Sequence, residues 1–274
     1  MLFRKSSIYM KSQNLLLLVV IALFFSGCKN RKTDDENVVP AQLLYNSGKE
    51  FLEAGKYKKA ADEFGKIYFQ HPGAEITPQA ELMEAYALYL DGKYEESSDV
   101  LENFIKIHPM NIDIAYAYYL RGLAEYMQIS RAELDQTATE KAKIAFSELR
   151  SRFPNTKYAI DAALKMDLIY DHLAGSEMDV GCYYLIINNP ISAIARFQKV
   201  IQDYGTTTHV PEALYRITES YMMLGLVEEA KKHASVLGYN YNDSKWYKKA
   251  YNIVSQGMKP KQPARVRLRK IKQE

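Results

Sequence analysis

The stretch Ala41-Gln-Leu-Leu-Tyr-Asn-Ser-Gly48-Lys-Glu-Phe-Leu-Glu-Ala-Gly55-Lys-Tyr57-Lys-Lys-Ala60-Ala-Asp-Glu-Phe64-Gly-Lys-Ile-Tyr-Phe-Gln-His-Pro72 encodes a pair of antiparallel helices. Gly48 and Ala60 are small where the two helices must approach closely, and Phe64 fills the space beside them. Gly55 supplies the turn, and Pro72 stops the second helix because it has no backbone N–H to give. The frame returns 37 residues later with Ala85, Gly92, Tyr94, Ser97, Leu101, Phe104 and Pro109. Even the dipeptides recur: Gly55-Lys56-Tyr57 is answered by Gly92-Lys93-Tyr94, and His71-Pro72 by His108-Pro109. A third unit has Gly122, Ala142, Phe146 and Pro154, with a longer connection around Ser130 to Thr139. A fourth has Gly181, Tyr184, Ala193 and Phe197, with Gly205 where proline stood, and a fifth has Leu214, Ile217, Tyr221, Gly225 and Ala230. The stretch Tyr158 to Leu173 has helical apolar spacing at Ala162, Met166, Ile169 and Leu173, which lengthens the approach to unit four.

Gly48, Gly55, Tyr57, Ala60, Phe64 and Pro72 stand at positions 8, 15, 17, 20, 24 and 32 of a unit of about 34 residues, and in this they resemble the tetratricopeptide (TPR) template. One such unit cannot bury its own apolar face, so stacked neighbours complete the core. The expectation is an all-α, right-handed TPR superhelix over residues 41–257, with units near 41–74, 78–111, 115–156, 158–207 and 211–245. Composition agrees: among 274 residues glycine (13) and proline (9) are too scarce for a collagen-like chain or a turn-dense all-β fold. Tyrosine is in surplus, 22 against a single tryptophan.

Residues 1–27 have the form of an export signal. Arg4, Lys5 and Lys11 precede the apolar run Leu15 to Phe25, which is too short for a membrane span. Its ending, Phe25-Ser26-Gly27-Cys28, resembles a bacterial lipobox, although the family pattern prefers leucine at Phe25. The resemblance implies lipid attachment at Cys28, and Lys29 resembles the residue found there in lipoproteins sorted to an outer membrane. The competing readings are an uncleaved anchor and a cleaved soluble export signal. Residues 28–40 then form a polar tether. Removing residues 1–27 takes away three bases and no acid, leaving 33 of each sign. Seven of those bases lie in the tail (Lys259, Lys261, Arg265, Arg267, Arg269, Lys270 and Lys272) against one acid, so residues 28–258 carry a net charge of −6. The tail, 258–274, is expected to be disordered when alone. A basic run can attract nucleic acid, but an exported, lipid-tethered chain meets none, and nucleic acid is set aside.

No motif of catalysis stands in the chain. Gly48 to Lys56 has six residues between its glycines and Tyr57 where a P-loop needs a magnesium-binding hydroxyl. There is no His-Glu-x-x-His, Cys-x-x-Cys, Gly-x-Ser-x-Gly or Gly-x-Gly-x-x-Gly, so no catalytic residue, metal ligand or cofactor is expected. The five histidines read as structural and Cys182 as a buried, inert thiol. A TPR surface instead binds segments in the groove lined by the first helix of each unit. By resemblance to TPR proteins the groove positions are Tyr45 and Lys49 in unit one, Tyr86 and Tyr89 in unit two, and Tyr116, Tyr119 and Tyr126 in unit three. Tyrosine offers ring area at low entropy cost and a terminal hydroxyl, which suits an aromatic-rich extended ligand. The same rings could instead pack helix against helix.

Three further stretches are more specific: Asn111-Ile-Asp-Ile-Ala-Tyr-Ala-Tyr-Tyr-Leu-Arg-Gly-Leu-Ala-Glu-Tyr126, Phe153-Pro-Asn-Thr-Lys-Tyr-Ala-Ile-Asp-Ala162 and Val180-Gly-Cys-Tyr-Tyr184. They resemble the BamD family, the TPR lipoprotein of the outer-membrane β-barrel assembly machinery, and the likeness runs to about residue 237. The chain departs from the family pattern at Asn188-Asn189-Pro190, where an Arg-Gly turn is usual, and in the basic tail. The resemblance implies two partners, an outer-membrane insertase with periplasmic POTRA domains and unfolded β-barrel proteins. It also implies an insertase contact at Tyr183, Tyr184 and Arg196. Arg121 has Glu125 one turn on, so a structural pair with it is expected at least as readily as a client contact. The alternative function is a TPR pilot lipoprotein for assembly of a pilus or secretion pore.

Overall fold

A computed structural model describes residues 38–131 and 135–257; the lipobox cysteine Cys28, most of the tether and the basic tail lie outside the described residues. Among these residues there are eleven helices and no strand. They are α1 (Ala41–Glu53), α2 (Tyr57–Gln70), α3 (Thr77–Leu90), α4 (Tyr94–Ile107), α5 (Ile114–Tyr126), α6 (Thr137–Arg152), α7 (Lys157–Ile186), α8 (Pro190–Asp203), α9 (Val210–Met223), α10 (Val227–Asn240) and α11 (Lys245–Gln256). Each helix packs on the next, as antiparallel pairs stacked side by side must. The first helices of successive pairs also touch, α1 on α3, α3 on α5 and α5 on α7. That contact puts the odd-numbered helices on the inner side and splays the even-numbered ones outward.

The repeated glycines set the spacing within a pair. A Cβ built on Gly48 would come within 2.7 Å of the Phe64 ring, and one on Gly122 within 2.5 Å of the Phe146 ring. Gly181 meets Phe197 in the same way. In unit two the equivalent residues are Ala85 and Leu101, so a larger residue on the first helix goes with a smaller one on the second. Phe64, Phe146 and Phe197 are wholly buried, and each such ring contributes about 1.5–3 kcal/mol. Ser97 takes the place of the close-packed alanine; its hydroxyl donates to the Ala85 carbonyl at 2.7 Å, which removes the cost of burying it.

The short turns inside the pairs of units one, two, four and five each use one residue in the left-handed region. Gly55, Gly92 and Gly225 supply it, with φ of 69°, 77° and 74°. In unit four Asn188 does so at φ 58°. Asparagine tolerates this conformation because its short side chain bonds locally. Asn189 then caps α8 by accepting from the Ser192 amide, and Pro190 occupies the first helical turn, where no N–H is missed. The departure at Asn188-Asn189-Pro190 is thus a different chemistry for the same turn.

Two features lie beyond the plain repeat. The insertion from Tyr158 to Leu173 is continuous with the first helix of unit four, so α7 is a single 30-residue helix. Ala162, Met166, Ile169 and Leu173 are buried, and all belong to the central core. The eleventh helix, α11, packs on α9 and α10 and closes the C-terminal end with the half-buried ring of Trp246.

Candidate functional site

The inner face of units two and three gathers five tyrosines. Tyr86 and Tyr89 come from α3, Tyr116 and Tyr119 from α5, and Tyr158 from the first turn of α7; all are half-buried against the central core. Tyr158 stacks on Tyr119 with centroids 5.2 Å apart and lies 5.6 Å from Tyr116. The Tyr119 hydroxyl donates to Asp161 at 2.6 Å, and Lys165 donates to the same oxygen at 2.6 Å. Burial pushes the phenols of Tyr89, Tyr116 and Tyr119 up, Tyr116 to about 12. Neighbouring tyrosines add to this at all three, and the bond to Asp161 adds at Tyr119. Hydrogen bonds from Lys165 and Tyr119 hold Asp161 below the usual carboxylate range. The result is an aromatic surface with the charged pair Asp161 and Lys165 fixed at its edge.

The other expected groove residues lie apart from this cluster. Tyr45 turns toward its own pair and packs edge-on against Phe64, centroids 5.4 Å apart. Tyr126 meets Phe146 at 6.4 Å, the ring that Tyr119 of the cluster also meets at 6.4 Å, but among the described residues it has no ring contact with Tyr158. Both are half-buried, and both serve the seam between the helices of one unit. Lys49 is exposed on α1.

Tyr183, Tyr184 and Arg196 do come together, at the end of α7 and on α8. The two rings lie 6.1 Å apart; Tyr183 is exposed and Tyr184 half-buried. Arg196 donates to Glu177 at 3.1 Å, and Lys199 donates to the other oxygen of the same carboxylate at 2.5 Å. Bonding to Glu177, and then to Tyr184, pushes the Arg196 guanidinium up. The arginine is therefore pre-oriented by its own chain, with part of its hydrogen-bonding fork engaged.

Arg121 differs from expectation. It pairs with Glu148 on α6 at 2.8 Å, while Glu125 is buried and accepts from Ser98 on α4 at 2.7 Å. Glu125 points into the seam between units two and three, so the one-turn pair is not made. Cys182 is half-buried, and burial pushes its thiol up, away from the reactive thiolate. Beside it His209 lies 3.7 Å from Asp171. No group of three or more His, Cys, Asp or Glu residues is placed to hold a metal among the described residues.

Residues 37–237 match the family model of YfiO, the outer membrane lipoprotein. The chain is 58% identical over 237 residues to the outer membrane protein assembly factor BamD of Rickettsia prowazekii, covering 86% of this chain and 94% of that one. With the BamD of Caulobacter vibrioides it shares 39% identity over 246 residues, 88% of this chain and 81% of the other. The chain belongs to the BamD family. Among solved structures the TPR2AB domain of yeast Sti1 in its Hsp90 peptide complex is similar at 13% identity and a TM-score of 0.38, covering 79% of this chain and 84% of that one.

In this BamD-family chain, Tyr158, Asp161 and Lys165 join the tyrosine cluster from outside the repeat count. They lie in the insertion before unit four, where the TPR frame assigns no position. A signal for them does exist: the spacing 158, 161, 165 places all three on one face of α7, adjoining the buried face of Ala162, Met166 and Ile169. No described helix of this BamD-family chain is long and apolar enough to cross a membrane.

Proposed function

We propose that the chain is a non-catalytic scaffold of outer-membrane β-barrel assembly, anchored to the outer membrane through lipid on Cys28 and facing the periplasm. In this reading units one to three hold a segment of an unfolded barrel protein, and units four and five dock on the POTRA-bearing insertase through Tyr183, Tyr184 and Arg196. The observation that carries the first half is the tyrosine cluster of α3, α5 and α7. An unfolded barrel strand exposes aromatic residues and unpaired backbone groups until the barrel closes. A row of rings with terminal hydroxyls covers the first and can bond the second. The names of the relatives, assembly factors of outer membrane proteins, support the same reading.

The test is titration of the full chain with a peptide from the aromatic C-terminal strand of a β-barrel protein. Tyr86→Ser combined with Tyr89→Ser is expected to weaken binding about tenfold, the loss of two partly buried ring contacts, while far-UV circular dichroism stays unchanged. Unchanged affinity in a variant that keeps its helicity would overturn the groove assignment. For the second half, Arg196→Glu is expected to abolish co-purification of the insertase from mild-detergent extracts of the outer membrane.

A further inference from the structure

The outer side of units one and two contains a charged slot that the groove reading leaves unused. It runs between α2 and α4 and is floored by α3. Glu81 and Glu84 rise from that floor, Asp99 and Asn103 come from α4, and Tyr68 and Phe69 from α2; together they line a cavity of about 270 Å³. A second cavity of about 840 Å³ shares Phe69, Glu84 and Val100 with it and adds the acids Asp62, Glu63 and Glu96 and the bases Lys59 and Lys66. The two form one groove along the slot.

Its acids outnumber its bases, and of the two lysines Lys66 is already paired with Glu63 at 2.6 Å. Glu81 is 4% exposed; one carboxylate oxygen lies 3.4 Å from His108, and the other is buried without a hydrogen-bond partner. Burial, and then the carboxylates of Glu81 and Asp62, push Glu84 up to about 7. Gly65 makes the room: a Cβ on it would come within 2.8 Å of a Glu84 oxygen. The slot is therefore shaped around two carboxylates that want a cation. Beside them Phe69 is 80% exposed, its ring set edge-on to Tyr68 at 5.3 Å. A guanidinium is suited to this setting, because it stacks on an aromatic face while its N–H fork reaches carboxylate oxygens.

The chain carries a segment of that chemistry: seven bases, three of them arginine, against one acid in residues 259–274. We infer that this basic segment docks in the slot between α2 and α4, with an arginine between Phe69 and the carboxylates of Glu81 and Glu84. Sixteen residues extend to roughly 50 Å. The slot that the segment enters can belong to its own chain or to a second copy.

The probe is a fluorescein-labelled peptide of residues 259–274, followed by anisotropy at low ionic strength. The receptor is the full chain with its seven tail bases replaced by glutamine, so that nothing competes with the peptide. Binding is expected, and Glu84→Gln is expected to weaken it at least about fivefold, as loss of a charge-assisted bond does. Phe69→Ser, at an exposed position that leaves the core untouched, is expected to weaken it similarly. Glu228→Gln, at an exposed carboxylate on α10, should change nothing. Absence of binding would overturn the inference. So would an equal loss with Glu228→Gln, which reports attraction to net charge, or a peptide that binds anionic phospholipid vesicles but not the protein. Carbodiimide crosslinks between the natural tail and Glu84 then separate the two supported arrangements: independent of dilution for the same chain, lost on dilution for a second copy.

Discussion

At the scale of single residues, the glycine–phenylalanine pairs carry most of the specification. Glycine inside a helix costs about 1 kcal/mol against alanine, so replacing it on a bare helix stabilises. Here the sign reverses. A Cβ on Gly122 would stand 2.5 Å from the Phe146 ring, which is wholly buried. Overpacking of this kind costs about 1–3 kcal/mol. Gly122→Ala is therefore expected to lower the midpoint of chemical denaturation. Adding Phe146→Leu to it reproduces the Ala85 and Leu101 pair of unit two and is expected to recover part of the loss. A double variant no more stable than the single one would show that the seam is fixed by the ring and not by total volume.

At the scale of elements, what could be read from the sequence depended on whether a residue type has one physical use. Gly55, Gly92 and Gly225 all take left-handed turns, and Pro72 and Pro109 follow helix ends, so the helix pairs of units one, two and five were legible. The fusion that makes α7 was foreshadowed by its apolar spacing alone. The groove was harder. Tyrosine on an inner helix serves a ligand face and a helix seam equally well: Tyr119 and Tyr126 both meet Phe146 at 6.4 Å, and only the contact with Tyr158 sets Tyr116 and Tyr119 apart from Tyr45 and Tyr126. Charge pairing was illegible for the same reason: Glu125 and Glu148 are both within reach of Arg121, and burial of Glu125 beside Ser98 decides between them. The turn at Asn188 gives an element-level prediction. Alanine has no local bond to offset a positive φ, so Asn188→Ala is expected to destabilise the protein by about 1–2 kcal/mol, whereas Asn188→Gly is expected to be neutral or stabilising. Thermal unfolding of the two variants side by side checks the sign.

At the scale of the whole molecule, stability is shared out by position along the array, because each pair contacts only its neighbours. The central core runs from α3 to α9 as one cluster, whereas the C-terminal cluster of Val210, Leu214, Tyr215, Leu237 and Ala250 is small and is closed on one side only, by α11. That helix has a single fully enclosed residue, Ala250, and holds on through Trp246, which stacks on Tyr215 at 5.3 Å, and Tyr247, which lies over Gly238. Lys249 and Lys245 sit over the indole at 4.4 and 4.8 Å, and exposed contacts of this type are worth only about 0.5–1 kcal/mol. The end of the array should therefore open before its middle. Trp246 is the one tryptophan of the chain, so indole fluorescence reports this end alone while far-UV circular dichroism reports all the helices. In a denaturant titration the fluorescence midpoint is expected to precede the dichroism midpoint, with hydrogen exchange in α10 and α11 outrunning that in α5 and α7. Coincident curves would mean that the long α7, by joining units three and four, makes the array unfold as one cooperative body. The loosely held C-terminal end would then be as firm as the groove.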